Sequence, residues 1–214
     1  MKPKIAIFQH HPEASRESCE GIVKALSDYY RVVLFSKEDC SLQLFDGIDL
    51  IAFPGGIGEA DIYYKFFRRK IANDIAKYVA DGGAYLGICM GAYWAGSRYF
   101  DILDGVDSNQ YIKRPRSGIL RSYGTIAPVK WNGVKEKMYF HDGAAFFGDT
   151  EKFKTVAIYK NGDAMAIIQN RIGLIGCHPE SMKFWYDKLF LKEHWHKGKH
   201  NKLLLEFVDS FIKN

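Results

Sequence analysis

The stretch Ala84-Tyr85-Leu86-Gly87-Ile88-Cys89-Met90-Gly91-Ala92-Tyr93 carries more structural information than any other in this chain. Residues 84–88 form a short apolar run, the mark of a strand covered on both faces. A helical pattern restarts at about Met90. Between them stands a cysteine with a glycine two residues before it and another two after, the form G-x-C-x-G. A nucleophile on such a turn sits in a strained backbone conformation, and small flanking residues let strand and helix approach closely. The turn projects Cys89 above the sheet edge, near the helix N-terminus and its positive dipole end. A plainer alternative is two glycines packing beside a buried, inert cysteine.

Outward from this turn, strand and helix signals alternate through the first half. Ile5–Phe8, Val32–Phe35 and Ile48–Phe53 read as strands. Helical spacing covers residues 13–30, and residues 61–80 carry Ile62, Phe66, Ile71, Ile75 and Val79 on one broad side. Such alternation implies parallel βαβ units with helices on both sheet faces. The second half reads as short strands: Thr125–Val129, Lys137–Phe140, Thr155–Tyr159, Ala164–Gln169 and Ile172–Cys177. Asn132-Gly133 and Asn161-Gly162 are hairpin-turn pairs. Helical patterning returns at Met182–Leu191 and Lys202–Ile212. The expectation is an α/β fold, a flavodoxin-like three-layer sandwich. Its central sheet is mostly parallel, with antiparallel strands inserted before the last parallel one. The expected domain is single, residues 1–214.

Length and composition agree. The chain has 214 residues, 47% apolar and 26% charged, a globular profile that excludes disordered, collagenous and coiled-coil classes. No apolar run approaches the roughly 18 residues of a membrane span, and none near the N-terminus has signal-peptide form. The expected location is therefore cytoplasmic, with no membrane contact and with Cys19, Cys40, Cys89 and Cys177 as reduced thiols. Cys19, Cys40 and Cys177 read as core residues. The net charge of +5 falls short of a nucleic-acid-binding signature, so no nucleic-acid partner is expected.

Two further segments supply partners for Cys89. The strand ending near Cys177 runs into His178-Pro179-Glu180. Proline holds the preceding residue extended, so residues i and i+2 point the same way. Glu180 can then orient the His178 imidazole, and His178 can act as base or acid toward Cys89. The isolated tripeptide also fits an ordinary strand-to-helix turn. Phe53-Pro54-Gly55-Gly56-Ile57-Gly58 follows the third strand at the same sheet edge. Its backbone N–H groups at Gly55 or Gly56, with that of Met90, are oxyanion-hole candidates. The alternative is a plain glycine-rich turn. A P-loop is excluded because its lysine and hydroxyl are missing.

Taken in this order, the three motifs resemble the class I glutamine amidotransferase superfamily, which also includes the DJ-1/PfpI proteins. Pro54-Gly55-Gly56 looks like its oxyanion loop, Gly87–Gly91 its nucleophile elbow and His178-Pro179-Glu180 the end of its triad. Residues 53–56, 83–93 and Tyr139-Phe140-His141-Asp142-Gly143 resemble the amidotransferase-like N-terminal domain of eukaryotic biotin–protein ligases. The resemblance implies a Cys-His-Glu hydrolase or acyl transferase acting on a small amide or acyl substrate, with no cofactor and with a partner enzyme or homo-oligomer as associates. Glutamine-hydrolysing members usually carry a glutamine four residues after the nucleophile. Tyr93 stands there, which counts against glutamine as the substrate. No Gly/Arg-rich biotin-adenylate loop is found, so biotin transfer by this chain alone is not implied.

Other pocket candidates are Tyr93, His10 after the first strand, and His141. Lys113-Arg114-Pro115-Arg116 with Arg121 is a basic stretch suited to an anionic substrate or to solvent. The lysine- and histidine-rich segment 183–202, with Trp185 and Trp195, reads as a solvated helix with aromatic anchors. His194, His196 and His200 lack cysteine or carboxylate companions at ligand spacing, so no metal site is expected. Two rival functions remain open on sequence: a non-catalytic binding or regulatory domain retaining the fold, and a DJ-1-like redox protein whose cysteine oxidises readily.

Overall fold

The computed structural model describes residues 2–11, 14–56 and 60–212. Five parallel strands form its centre: β1 (Lys4–Phe8), β2 (Arg31–Phe35), β3 (Leu50–Phe53), β4 (Ala84–Ile88) and, late in the chain, β11 (Ile172–Ile175). Between β4 and β11 come β5 (Val106–Gln110), β6 (Thr125–Trp131), β7 (Val134–Phe140), β8 (Ala144–Gly148), β9 (Lys154–Tyr159) and β10 (Ala164–Gln169). The sheet order is β2-β1-β3-β4-β11-β10-β9-β6-β7, with β8 paired to β10 and β5 to β8. Pairing is parallel from β2 to β11 and antiparallel from β11 through β10, β9 and β6 to β7. This is the flavodoxin-type α/β arrangement with inserted antiparallel strands.

Period-2 alternation sorts β1 between two cores. Ile5 and Ile7 join Cys19, Ile22 and Leu26 of α1 (Arg16–Leu26) and Leu204 and Phe207 of the C-terminal helix. Ala6 and Phe8 face the other layer. That layer holds α2 (Leu42–Phe45), α3 (Tyr63–Phe66), α4 (Arg69–Ala80) and α5 (Met90–Trp94). The chain closes with α6 (Leu189–Lys192) and α7 (Lys199–Ile212), and α7 packs on α1. None of the described helices is long and apolar enough to cross a membrane.

The Asn132-Gly133 pair forms a two-residue hairpin between β6 and β7, with φ of 45° and 82°. Both central residues are left-handed, as a type I′ turn requires. Three helical readings need correction. The segment 13–30 narrows to α1, and residue 13 lies outside the described residues. The segment 61–80 breaks at Phe67, which is extended at φ −99° and ψ 91°. Its ring leaves the helix surface to pack within 5.0–5.8 Å of Phe8, Phe53, Trp94 and Phe100. The segment Met182–Leu191 is a 3-10 turn at Lys183–Tyr186 followed by the one-turn α6. Trp185 and Tyr186 are drawn onto Tyr139, with ring centroids at 5.0 and 5.5 Å, so tertiary contact replaces helical period.

Candidate functional site

Cys89 joins β4 to α5 with φ 51° and ψ −104°, a conformation rare for any residue but glycine. The two glycines are there for contact. A Cβ on Gly87 would lie 2.5 Å from Gly91 O, and one on Gly91 would run into Phe53 O. The turn is fixed from both sides. Cys89 N–H donates to Ile175 O at 2.8 Å, and Gly91 N–H to Pro54 O at 3.3 Å. The elbow therefore sits between the end of β11 and the loop after β3.

His178 stands three residues beyond β11 and is held by its own N–H, which donates to Tyr139 O at 3.0 Å. Its Nδ1 lies 2.8 Å from Glu180 Oε1. Both side chains are buried, at 5% and 0% exposure. Burial opposes charging of the imidazole. The Glu180 carboxylate and then the Cys89 sulfur outweigh it, so the His178 pKa is raised above the ordinary value. Among the described residues, His178 Nε2 is buried with no hydrogen-bond partner. The Cys89 thiol donates instead to His141 O at 3.2 Å. Cys89, His178 and Glu180 are thus brought together, but the thiol hydrogen bond goes to backbone.

A cavity of about 890 Å³ opens beside the cysteine, lined in part by Gly56, Met90, Tyr93, His141 and Asp142. Tyr93 donates its hydroxyl hydrogen to Asp142 O at 3.1 Å, and Gln110 Nε2 donates to Asp142 Oδ2 at 2.7 Å. Burial, followed by the neighbouring His178, lowers the His141 pKa. Gly55 behaves differently from Gly56. Its N–H already donates to Ser18 Oγ at 3.0 Å, which removes it from the candidate oxyanion donors. Its glycine identity serves the His178 ring instead, because a Cβ there would lie 2.6 Å from His178 Cε1. Ile57 and Gly58 lie outside the described residues.

His10 does not line this cavity. Strand β3 separates β1 from β4, and two strand spacings amount to roughly 9–10 Å. Its ring packs on Phe66, with centroids 5.0 Å apart, and Nδ1 lies 3.8 Å from Glu38. Of the basic stretch, Lys113 lines the cavity while Arg114 pairs with Asp163 at 2.9 Å. Arg121 stacks over Tyr123 and Phe190, at 4.6 and 5.3 Å. The His/Trp-rich segment is more buried than expected. His196 and His200 stack with centroids 4.3 Å apart, and His196 Nε2 lies 3.0 Å from Ser181 O. No group of three or more His, Cys, Asp or Glu among the described residues is placed to hold a metal.

Sequence reasoning missed Ser18, which is fully buried and touches two parts of the site. Its hydroxyl donates to Glu180 Oε1 at 2.6 Å while accepting from Gly55 N–H. A serine inside an amphipathic helix has no local signature of such a role.

The fold is one that this chain shares with solved glutamine amidotransferases. Its backbone superposes on a glutamine amidotransferase from Thermotoga maritima with a TM-score of 0.72, at 13% identity and over 100% of both chains. A second glutamine amidotransferase structure matches at TM-score 0.65, 15% identity, over 98% of this chain and 99% of the other. Over part of its length the sequence is similar to the N-terminal part of biotin–protein ligases. The family model described as biotin-protein ligase, N terminal, matches residues 9–109. The biotin–protein ligase of Schizosaccharomyces pombe is 29% identical over 163 residues, 61% of this chain and 25% of that protein. The chain thus spans about a quarter of the length of the curated relative it matches. The family match includes Gly56, Cys89 and Tyr93 and ends before His178 and Glu180.

Proposed function

We propose that the protein is a cysteine-dependent hydrolase or acyl transferase acting on an amide or related acyl substrate through Cys89, His178 and Glu180. The observation that carries this reading is the strained Cys89 elbow standing beside a buried His178–Glu180 pair at 2.8 Å. Strain held at one residue beside an oriented imidazole is the arrangement nucleophilic catalysis needs.

In this reading Cys89 Sγ turns from His141 O toward the substrate, gives its proton to His178 Nε2, and attacks the carbonyl carbon as the thiolate. Hydrogen bonds of this kind often tighten only with substrate in place. The carbonyl π electrons move to oxygen, and the N–H groups of Gly56 and Met90 receive the oxyanion. His178, charged and oriented by Glu180, gives a proton to the departing nitrogen as the C–N bond breaks. A thioester remains on Cys89. Water or an acceptor then attacks the thioester carbon, His178 takes the proton, and the C–S bond breaks.

The cavity suits a polar small molecule, and Tyr93 supports a substrate other than glutamine. The test is alkylation of Cys89 by iodoacetamide across pH 5–9, in wild type and His178→Ala, with an amide and ester substrate screen. The expected result is at least about tenfold slower alkylation at pH 7 without His178, together with turnover that Cys89→Ser abolishes. Equal alkylation rates in the two proteins, with no turnover, would overturn the proposal in favour of a binding domain.

A further inference from the structure

We infer that Ser18 is a positioning residue that locks the loop after β3 to the His178–Glu180 pair. The inference rests on the proposed catalytic role of that pair. Ser18 lies in the first turn of α1 and is fully buried. A buried hydroxyl must spend both its donor and its acceptor capacity well, because an unmet polar group is costly. Ser18 does so between two segments more than a hundred residues apart in sequence. It donates to Glu180 Oε1 at 2.6 Å and accepts from Gly55 N–H at 3.0 Å.

The N-cap of the same helix holds the other side of Gly55, since Ser15 N–H donates to Gly55 O at 2.6 Å. Both polar groups of Gly55 are therefore bound by α1 and its N-cap residue, Ser15. Gly56, the next residue and the remaining oxyanion candidate on this loop, inherits its placement from that clamp. Glu180 is fixed in parallel. Its Oε1 receives hydrogen bonds from Ser18 and from the His178 ring, and Gly21 of α1 leaves room for the Glu180 backbone, which a Cβ there would strike. The three contacts converge: α1 sets the carboxylate that orients the imidazole, the loop beside the nucleophile, and the gap between them.

Removing the hydroxyl should loosen both sides together. Losing a hydrogen bond to a charged group corresponds to about tenfold in rate at the low end of such effects. The experiment compares iodoacetamide alkylation of Cys89 in the full chain across pH 5–9 for wild type, His178→Ala, Ser18→Ala and Ser18→Thr, with a thermal melt of each. Ser18→Ala is expected to alkylate about tenfold more slowly at pH 7 and to shift the pH profile, with Ser18→Thr recovering part of the rate. A Ser18→Ala protein matching wild type in rate and profile overturns the inference. If His178→Ala itself matches wild type, the Cys89–His178 reading falls first, so the two failures are distinguishable. Should Ser18→Ala fail to fold, amide exchange in the wild type decides. Gly55 N–H protected at least about a hundredfold over an open loop supports the clamp, and exchange at open-loop rates refutes it.

Discussion

Replacing Gly55 with alanine tests whether the loop after β3 is a saddle for His178. Gly55 is not in the left-handed region, so alanine meets no backbone strain there and the side chain alone acts. The new Cβ would stand 2.6 Å from His178 Cε1. Carbon atoms in contact prefer roughly 3.5–4.0 Å, so the ring must retreat by about 1 Å. That retreat stretches the 2.8 Å bond between His178 Nδ1 and Glu180 Oε1 to about 3.8 Å, beyond the range of a hydrogen bond. Losing a hydrogen bond to a charged group costs about 1.5–3 kcal/mol. In a domain of this size that lowers Tm by roughly 3–12 °C. The His178 pKa, raised in the native protein, should fall as Glu180 loses its hold. A raised histidine pKa stabilises the fold at low pH and stops doing so as pH rises through the folded value. The Tm gap between Gly55→Ala and wild type should therefore narrow in alkaline buffer. Thermal melts at several pH values and NMR titration of the His178 ring read both effects. A Tm within 1 °C of wild type, with an unchanged titration, would refute the saddle argument.

Three further predictions concern other parts of the molecule. Burial pushes the thiols of Cys19 and Cys40 up to about 12 and raises Cys177 as well, so brief alkylation of the native protein should modify Cys89 in preference to the other three, as peptide mass spectrometry would read. Burial and then the neighbouring His200 lower the His196 pKa to about 4, and burial also lowers His200. Both are neutral when folded and take up protons more readily unfolded, so stability is complete above about pH 6.5 and should fall by on the order of 2 kcal/mol toward pH 4, measured as the urea midpoint. His196→Gln should flatten part of that fall. Gly133→Ala, at φ 82° in the β6–β7 hairpin, should cost about 1 kcal/mol by equilibrium unfolding, because alanine resists that conformation.

What could be read from the sequence follows the reach of each signal. The elbow was legible because its requirements are local: Gly87, Cys89 and Gly91 lie within five residues, and their contacts are with neighbouring elements of fixed type. The central strands were legible because burial on both faces leaves unbroken apolar runs at β1, β3 and β4. Strand β5, with the sequence Val-Asp-Ser-Asn-Gln, was not, because an edge strand lining a polar cavity shows no apolar alternation. His10 was misplaced because chain order does not reveal lateral order in a sheet: β1 follows the edge strand β2, and β3 separates it from β4. Gly55 looked like a donor on composition, whereas its N–H is committed to a serine 37 positions away.

The position of β11 bears on how the protein comes to be made. The strand that delivers His178 is the fifth in the row of parallel strands yet the last of all in sequence, pairing residues 172–175 with 85–88. A chain emerging from the ribosome must carry β1, β3 and β4 with the lateral edge of β4 unsatisfied until residues 172–175 have been synthesised. Exposed edges of that kind invite pairing with other chains, and long-range parallel pairing is intrinsically slow to form. The inserted strands β5–β10 occupy that interval, building local antiparallel hairpins that can fold as they appear. Insertion of β11 then joins two halves that have each had time to form, and Cys89 meets His178 only at that moment. The cluster of Cys89, His178 and Glu180 is thus assembled from distant parts of the chain, and only once β11 is seated.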